Sequence, residues 1–432
     1  MGQSAQRAQG HSGIVNVVGD HAGYHLKHDA PLQSDLDGVV GSISNWVRRA
    51  THATMVGQLG AEAIQAARDG QIATLILQAD AAWGDSVTGR RPRPGPPKTH
   101  AGRRAYCGGG QDPHLTGCCH PGGAALFGDG AEMAGKIAAR TGCRLLAPFC
   151  APRMGYGEGA VAFESLYYPA DLNAAFLSEI GSITLVGESA PVNLFAYPGK
   201  PSTPDAPGCA IDRLCYGDWD VLGTLAALVE AVGVDGTEIV PRITRAVAEV
   251  ENGPLTPEGM GRALAKAIPD GAIMVNEAVT ASAGIFPPIN TAAPHDRLNN
   301  TGGSIGQCLP NALGASVACP DRPFFAVSGD GSAMYQLQCL WTPAREELDI
   351  TFVIVANRGY QILHLELAEQ GAPKPGRNAR AMFDIEAPLL DWVALAKGHG
   401  IGGVRVDTEE AFAEALEMAR TTKGPFLIEA VI

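Results

Sequence analysis

A short apolar run that stops at two glycines constrains this chain more than any other feature. Phe324-Phe325-Ala326-Val327-Ser328 has the composition of a buried parallel strand, and it ends at Gly329-Asp330-Gly331. Glycines on both sides of an aspartate permit a tight turn that brings backbone close to a ligand. The spacing predicts a helix from Ser332 with Met334, Leu337, Leu340 and Trp341 on one face. A second strand follows over 350–355 and runs into Ala356-Asn357-Arg358-Gly359. Strand, helix and parallel strand make a right-handed crossover unit. Asp330 and Asn357 are 27 positions apart, yet each sits just past the carboxyl end of its strand. Neighbouring parallel strands bring such positions together at the edge where open α/β sheets bind ligands. A carboxylate, an amide oxygen and a backbone carbonyl form a hard-oxygen set that suits Mg²⁺, which completes its shell with phosphate and water. The N–H groups of a helix starting at Ser332 suit the phosphate.

At 432 residues the chain is too long for one ordinary core, so two or three domains are expected. With 46% hydrophobic and 18% charged residues it has the composition of a globular protein rather than a disordered one. A net charge of −13 repels nucleic acid and anionic membranes, so neither is expected as a partner. The first ten residues are polar, and no uninterrupted apolar run is long enough to span a bilayer, which points to a cytoplasmic protein. The ten cysteines form no CxxC pair, and Cys143, Cys150, Cys308, Cys319 and Cys339 lie in apolar segments, where buried reduced thiols are expected.

The fold class read from the pattern is α/β, with three doubly wound parallel-sheet domains, the first incomplete. Residues 14–18 read as a strand, 43–50 and 57–68 as helices, and 73–77 as a buried strand. These make a partial domain over 1–85, whose alternation begins abruptly. Residues 86–123 lack periodicity and are dominated by Pro, Gly, Arg and Cys; they read either as an irregular linker or as a GC-rich gene translated in a shifted frame. His114, Cys118, Cys119 and His120 there lack the usual spacing of zinc ligands. A central domain over 124–250 is expected from helices at 131–140, 169–177 and 221–232 and strands at 144–147 and 183–186. The last domain, 254–432, opens with Thr256 capping a helix over 258–268.

The segment 329–363 resembles the cofactor motif of thiamine-diphosphate-dependent enzymes: Gly-Asp-Gly, a spacer in the mid-twenties, then Asn. The resemblance implies that the side chains of Asp330 and Asn357 and the carbonyl of Gly359 ligate Mg²⁺. Ser332, Tyr335 and Tyr360 match positions that line the diphosphate, with Gly329 and Gly331 flanking the aspartate. Where the family often has Asn-Asn, this chain has Ala356-Asn357, which keeps the ligand position. Thr301-Gly-Gly-Ser-Ile-Gly306 resembles the segment that holds the cofactor bent, with Ile305 beneath its two rings and the Gly303 carbonyl accepting from its aminopyrimidine. Val275-Asn276-Glu277-Ala278 and Leu340-Trp341-Thr342 lean towards benzoylformate decarboxylase, whereas the whole chain also resembles proteins called acetolactate synthase large-subunit-like.

The resemblance further implies a glutamate early in the first domain that activates the cofactor, and nothing here matches its strand, so the chain is expected to begin after it. Glu62 reads as a surface charge. His25 and His28, in Tyr24-His-Leu-Lys-His28, fall near positions that face the substrate in the family, and His364 follows Tyr360 closely. A histidine that titrates near neutrality suits proton transfer there. No nucleotide motif in the central domain supports FAD. The expected function is thiamine-diphosphate- and Mg²⁺-dependent chemistry on a 2-keto acid, by decarboxylation or carboligation, in the manner of acetolactate synthase. Two alternatives stand beside it: a benzoylformate-type decarboxylase, and an inactive cofactor-binding chain lacking the activating glutamate. The resemblance also implies a homodimer or tetramer.

Overall fold

The described residues form fifteen strands, which pair into three separate sheets. The computed structural model describes residues 12–31, 33–85, 116–217, 219–372 and 374–432. The first sheet joins β1 (Ile14–Asp20), β2 (Trp46–Ala50) and β3 (Ile72–Gln78) in parallel, in the order β1-β3-β2. The abrupt first strand thus finds its neighbour downstream, and it leaves Val15 and Val17 exposed. Residues 43–50, expected as helix, contain β2 instead, and the helix lies earlier, at Leu36–Gly41. Pairing with β3 outweighs the local pattern here, and Arg49 ties the strand to Asp20 and Asp37. Glu62 accepts a hydrogen bond from Gln58 on its own helix, Ala53–Arg68.

The middle sheet corrects two expectations. The chain continues through β4 (Thr116–Pro121), β5 (Arg144–Ala147), β6 (Arg153–Tyr156), β7 (Glu164–Ser165), β8 (Ile180–Val186) and β9 (Ala210–Cys215). All but β6 form one parallel sheet in the order β7-β5-β4-β8-β9. The end of the supposedly irregular stretch 86–123 is therefore this sheet's central strand; 86–115 lie outside the described residues. Cys118, Cys119 and His120 hid the strand because they are not β-formers by composition, yet all three are buried between the sheet's two helical layers. His120 Nδ1 lies 2.6 Å from the Leu146 carbonyl oxygen, and burial pushes its pKa down to about 4, so it is a neutral core residue. Among the described residues no group of three His, Cys, Asp or Glu side chains could hold a metal ion. The nine described cysteines are free, but of the five expected to be buried only Cys308 is; Cys118, Cys119 and Cys215 are the other buried thiols.

The last sheet has seven strands. It contains β10 (Ala272–Glu277), β11 (His295–Asn299), β12 (Phe324–Gly329), β13 (Ile350–Ala356), β14 (Gly402–Val406) and β15 (Phe426–Val431), in the order β14-β15-β13-β12-β10-β11-β6. Six strands are parallel, and β6 closes the edge antiparallel to β11, although its sequence lies within the stretch assigned to the central domain. Arg297, buried on β11, stacks 3.7 Å over the Tyr156 ring and anchors that edge. Both faces of this sheet are buried, as its near-continuous apolar strands require. Phe325, Val327, Val353 and Val355 face the helices at Pro257–Ala267, Ser282–Ile289 and Glu409–Thr421, whereas Phe324, Ala326, Phe352 and Ile354 face Cys308–Ala318 and Trp392–Gly398. Thr256 caps its helix as expected, accepting from the Gly259 N–H at 3.1 Å. No described helix is long and apolar enough to cross a membrane.

On the first of these faces, Arg262 holds the buried Glu409 carboxylate with bonds of 2.9 and 2.6 Å. Removing one partner of a buried pair strands the other charge. We expect Arg262→Ala to lower the unfolding free energy by about 3 kcal/mol, read from urea denaturation.

Candidate functional site

The direction of winding reverses between β10 and β12: β11 lies on one side of β10, and β12 and β13 lie on the other. A crevice at the carboxyl ends of the strands opens at such a switch point. Asp330 sits there, immediately after β12 and buried. Its carboxylate accepts the N–H of Gly331 at 2.8 Å and, across the strand gap, the N–H of Arg358 at 2.8 Å. Desolvation raises its pKa, and these two N–H groups pull it back down. The register pairs Gly329 with Val355, so the two turns that follow are side by side, as the spacing predicted.

The 357–360 turn is held on every side. Asn357 Oδ1 accepts the Gly359 N–H at 3.2 Å, and Arg358 adopts φ +59°, a left-handed conformation uncommon outside glycine. Ile385 N–H donates to the Arg358 carbonyl and Tyr360 N–H donates to the Phe383 carbonyl, each at 2.8 Å. A methyl group on Gly331 would lie 2.5 Å from the Tyr360 ring, so the sequence has glycine where ring and backbone meet. Ser332 is buried in the same turn. The helix expected from Ser332 is instead broken: it spans Asp330–Ala333, and separate turns follow at Leu337–Leu340 and Trp341–Arg345, leaving Trp341 exposed. The break lets Tyr335 turn back against Gly306, where an added Cβ would come within 2.6 Å of it.

That contact joins the Asp330 turn to the 301–306 segment. Asn300 Oδ1 accepts the N–H groups of Gly302 and Gly303 at 3.2 and 2.9 Å, and Gly303 and Gly306 take φ of +76° and +97°, which glycine alone adopts freely. Ile305 is half-buried and packs into neither hydrophobic cluster of this sheet, unlike an ordinary core isoleucine. Beneath the segment lies Glu277, the last residue of β10 and 2% exposed. Its Oε1 accepts from Gln307 N–H at 3.1 Å and its Oε2 from Cys308 N–H at 3.3 Å. Burial pushes its pKa up to about 7, against the pull of the backbone N–H groups. Sequence reasoning passed over Glu277 as a site residue, although a glutamate closing the apolar run Ala272–Val275 is a charge placed where charge is expensive. Two cavities flank the crevice. One of about 390 Å³ is bounded by Asn299, Thr301, Gln307 and Asn311, and one of about 270 Å³ lies behind Asp330, against Arg358, Trp392, Arg405 and Glu429.

His364 stands on the helix after Tyr360, 3.4 Å from Asp384 and edge-on to Phe383. His25 and His28 are exposed just after β1, and the His25 ring lies tilted between those of His21 and His28, 5.6 and 5.7 Å away. Among the described residues no hydrogen bond or ring contact joins His25 or His28 to the turn around Asp330.

Two such turns at the switch point of a doubly wound sheet form the kind of edge at which open α/β sheets bind ligands. Residues 285–430 match the family described as thiamine pyrophosphate enzyme, C-terminal TPP binding domain. The chain is 41% identical, over 97% of its length and 81% of the relative's, to a Mycobacterium tuberculosis protein that carries the provisional name acetolactate synthase large subunit IlvX. This chain belongs to the thiamine-diphosphate-dependent enzyme family. It is also 31% identical to the benzoylformate decarboxylase of Pseudomonas aeruginosa, over 49% of this chain and 39% of that one. Its fold superposes with a TM-score of 0.79 on a thiamine-diphosphate-dependent 4-hydroxybenzoylformate decarboxylase of Rhodococcus jostii RHA1, at 20% identity, covering 99% of this chain and 84% of that one.

Two outcomes follow from this geometry. Gly331→Ala forces its methyl group against Tyr360, and we expect a loss of about 1–3 kcal/mol in urea unfolding. Glu277 has a folded pKa of about 7 against an ordinary 4.5, so the folded state binds more protons between these values, and stability falls as pH rises through that window. The drop amounts to about 3 kcal/mol at most. Unfolding measured from pH 4.5 to 8 is expected to show a shallower decline in Glu277→Gln than in the wild type.

Proposed function

We propose that this protein binds thiamine diphosphate through Mg²⁺ and acts on a 2-keto acid, in the manner of acetolactate synthase. The observation that carries this reading is the Asp330 carboxylate joining two strand-end turns, with Asn357 and Gly359 in the second. The donor set fits the metal: the carboxylate, the Asn357 amide oxygen and the Gly359 carbonyl are hard oxygens on one edge, and each retains lone-pair capacity beyond its present bonds. Ser332 and Tyr360 stand beside them for a diphosphate. Gly303 and Ile305 present a carbonyl and an apolar side chain to the rings of the cofactor. When bound, thiamine diphosphate supplies the carbon nucleophile and electron sink that decarboxylation of a keto acid needs. The chain's own contribution is to hold the metal and diphosphate rigidly, to exclude water around the buried Asp330, and to place His364 at the mouth as a proton carrier. His25 and His28 remain candidates for proton transfer to the substrate.

The high coverage of the acetolactate synthase-named relative favours carboligation, and the benzoylformate decarboxylase match supports simple decarboxylation as an alternative. A further reading is cofactor binding without turnover. A homodimer or tetramer belongs to the proposal, to be checked by light scattering.

Calorimetry with thiamine diphosphate and Mg²⁺ tests the binding, and we expect Asp330→Ala to weaken it roughly a hundredfold. Unchanged affinity in that variant would sink the site. Incubation with pyruvate or benzoylformate separates the readings: acetolactate with CO₂ indicates carboligation, free aldehyde indicates decarboxylation, and binding with no CO₂ from either acid leaves the non-catalytic reading.

A further inference from the structure

Glu277 takes part in none of the contacts assigned above to metal or diphosphate, yet its carboxylate bonds both to the residues that follow the 301–306 segment and to Ser328, just before the Asp330 turn. It ends β10 at the switch point, paired in register with Ser328 of β12. Its carboxylate receives the N–H groups of Gln307 and Cys308, which lie 30 and 31 residues away at the start of the helix Cys308–Ala318. Ser328, two residues before Asp330, offers its hydroxyl to Oε2 at 3.4 Å. The Gln307 side chain donates to the Asn276 carbonyl at 3.4 Å, closing a small ring of polar contacts around one buried group. Gly303 and Ile305 lie four and two residues before Gln307, in a tight turn whose two left-handed glycines leave it little stiffness of its own.

We propose that Glu277 is a positioning residue, whose carboxylate sets the height and angle of the 301–306 segment against the Asp330 turn and so fixes where Gly303 and Ile305 meet the cofactor. In its ionised form the carboxylate suits the task because it only accepts: it takes several N–H groups at once, whereas an amide must turn its own donor towards one of them. The residue touches neither the diphosphate anchor nor a metal ligand. It acts through backbone, on the ring-holding half of the site alone. This inference rests on the reading that the 301–306 segment holds thiamine diphosphate by its rings.

The test compares wild type and Glu277→Gln in the full chain by calorimetry with two probes, each with Mg²⁺: thiamine diphosphate and inorganic diphosphate. Glu277→Gln is expected to bind thiamine diphosphate roughly ten- to a hundredfold more weakly and inorganic diphosphate within about twofold of wild type, because the Asp330–Asn357 anchor is untouched. The near-ultraviolet circular dichroism of the bound thiamine diphosphate is expected to change, reporting altered ring placement. Equal affinity of both proteins for thiamine diphosphate overturns the inference, and so does a parallel loss of both ligands, which would mark a general structural role. Should Glu277→Gln fail to fold, Glu277→Asp, which withdraws the carboxylate by one methylene, is read by the same criteria. A wild type that binds inorganic diphosphate but not thiamine diphosphate would overturn the parent reading, and this one with it.

Discussion

The hydrogen bond from the Arg358 N–H to the Asp330 carboxylate holds this architecture together at its working edge. It spans two strand ends that are 28 residues apart in the chain and fixes the spacing between the turns that follow them. A buried carboxylate is costly unless its oxygens are satisfied, so the bond stabilises the turn as much as it shapes the site. Arg358 must adopt a left-handed backbone to present its N–H, a conformation that costs about 1–2 kcal/mol and that the flanking bonds from Tyr360 and Ile385 keep in place. Strain held by surrounding structure is common where a ligand must be met by rigid backbone.

Rigidity at this edge comes from packing below it. Strands β12 and β13 are buried on both faces, so the turns stand on a platform that cannot slide in register without turning one apolar set towards the other. The parts that border the platform are held more weakly, by polar contacts. The helix Gln361–Glu369 buries no residue at all. It is tied to the middle sheet's loops by Tyr168 and Tyr197, whose hydroxyls donate to Glu366 at 2.5 and 3.1 Å, and by Lys200, which bridges Asp171 and Glu369. The loops of the middle sheet thus pin the helix that carries His364.

Much of this was legible in the residues. The run 324–328 and its double-glycine stop, the run 350–355 and the asparagine after it, and the Thr256 cap each rest on local chemistry, and each stands where expected. The failures share one cause. Trp46–Ala50 has a helical look but pairs as a strand with β3, and Arg153–Tyr156 leaves its sequence neighbours to pair with β11. Thr116–Pro121 lies in a stretch without periodicity, yet it is the centre of a sheet. In each case a partner distant in sequence decided the structure, and no local pattern carries that information. The break after Ala333 belongs with these, since Tyr335 turns away to meet Gly306, 29 positions earlier.

By itself the sequence determined the class of fold and which two strand-end turns lie side by side, because strand composition and glycine turns are local properties. It also determined that a glycine must stand at 331, although the reason, a tyrosine ring 2.5 Å from where a methyl group would sit, appears only in three dimensions. The tertiary structure alone decided which carboxylates share the crevice. Asp330 and Glu277 are 53 positions apart, and only the order β13-β12-β10 sets both at one edge. The same order separates them into two tasks, since each buried carboxylate is satisfied by the backbone N–H groups that its own strand end happens to face.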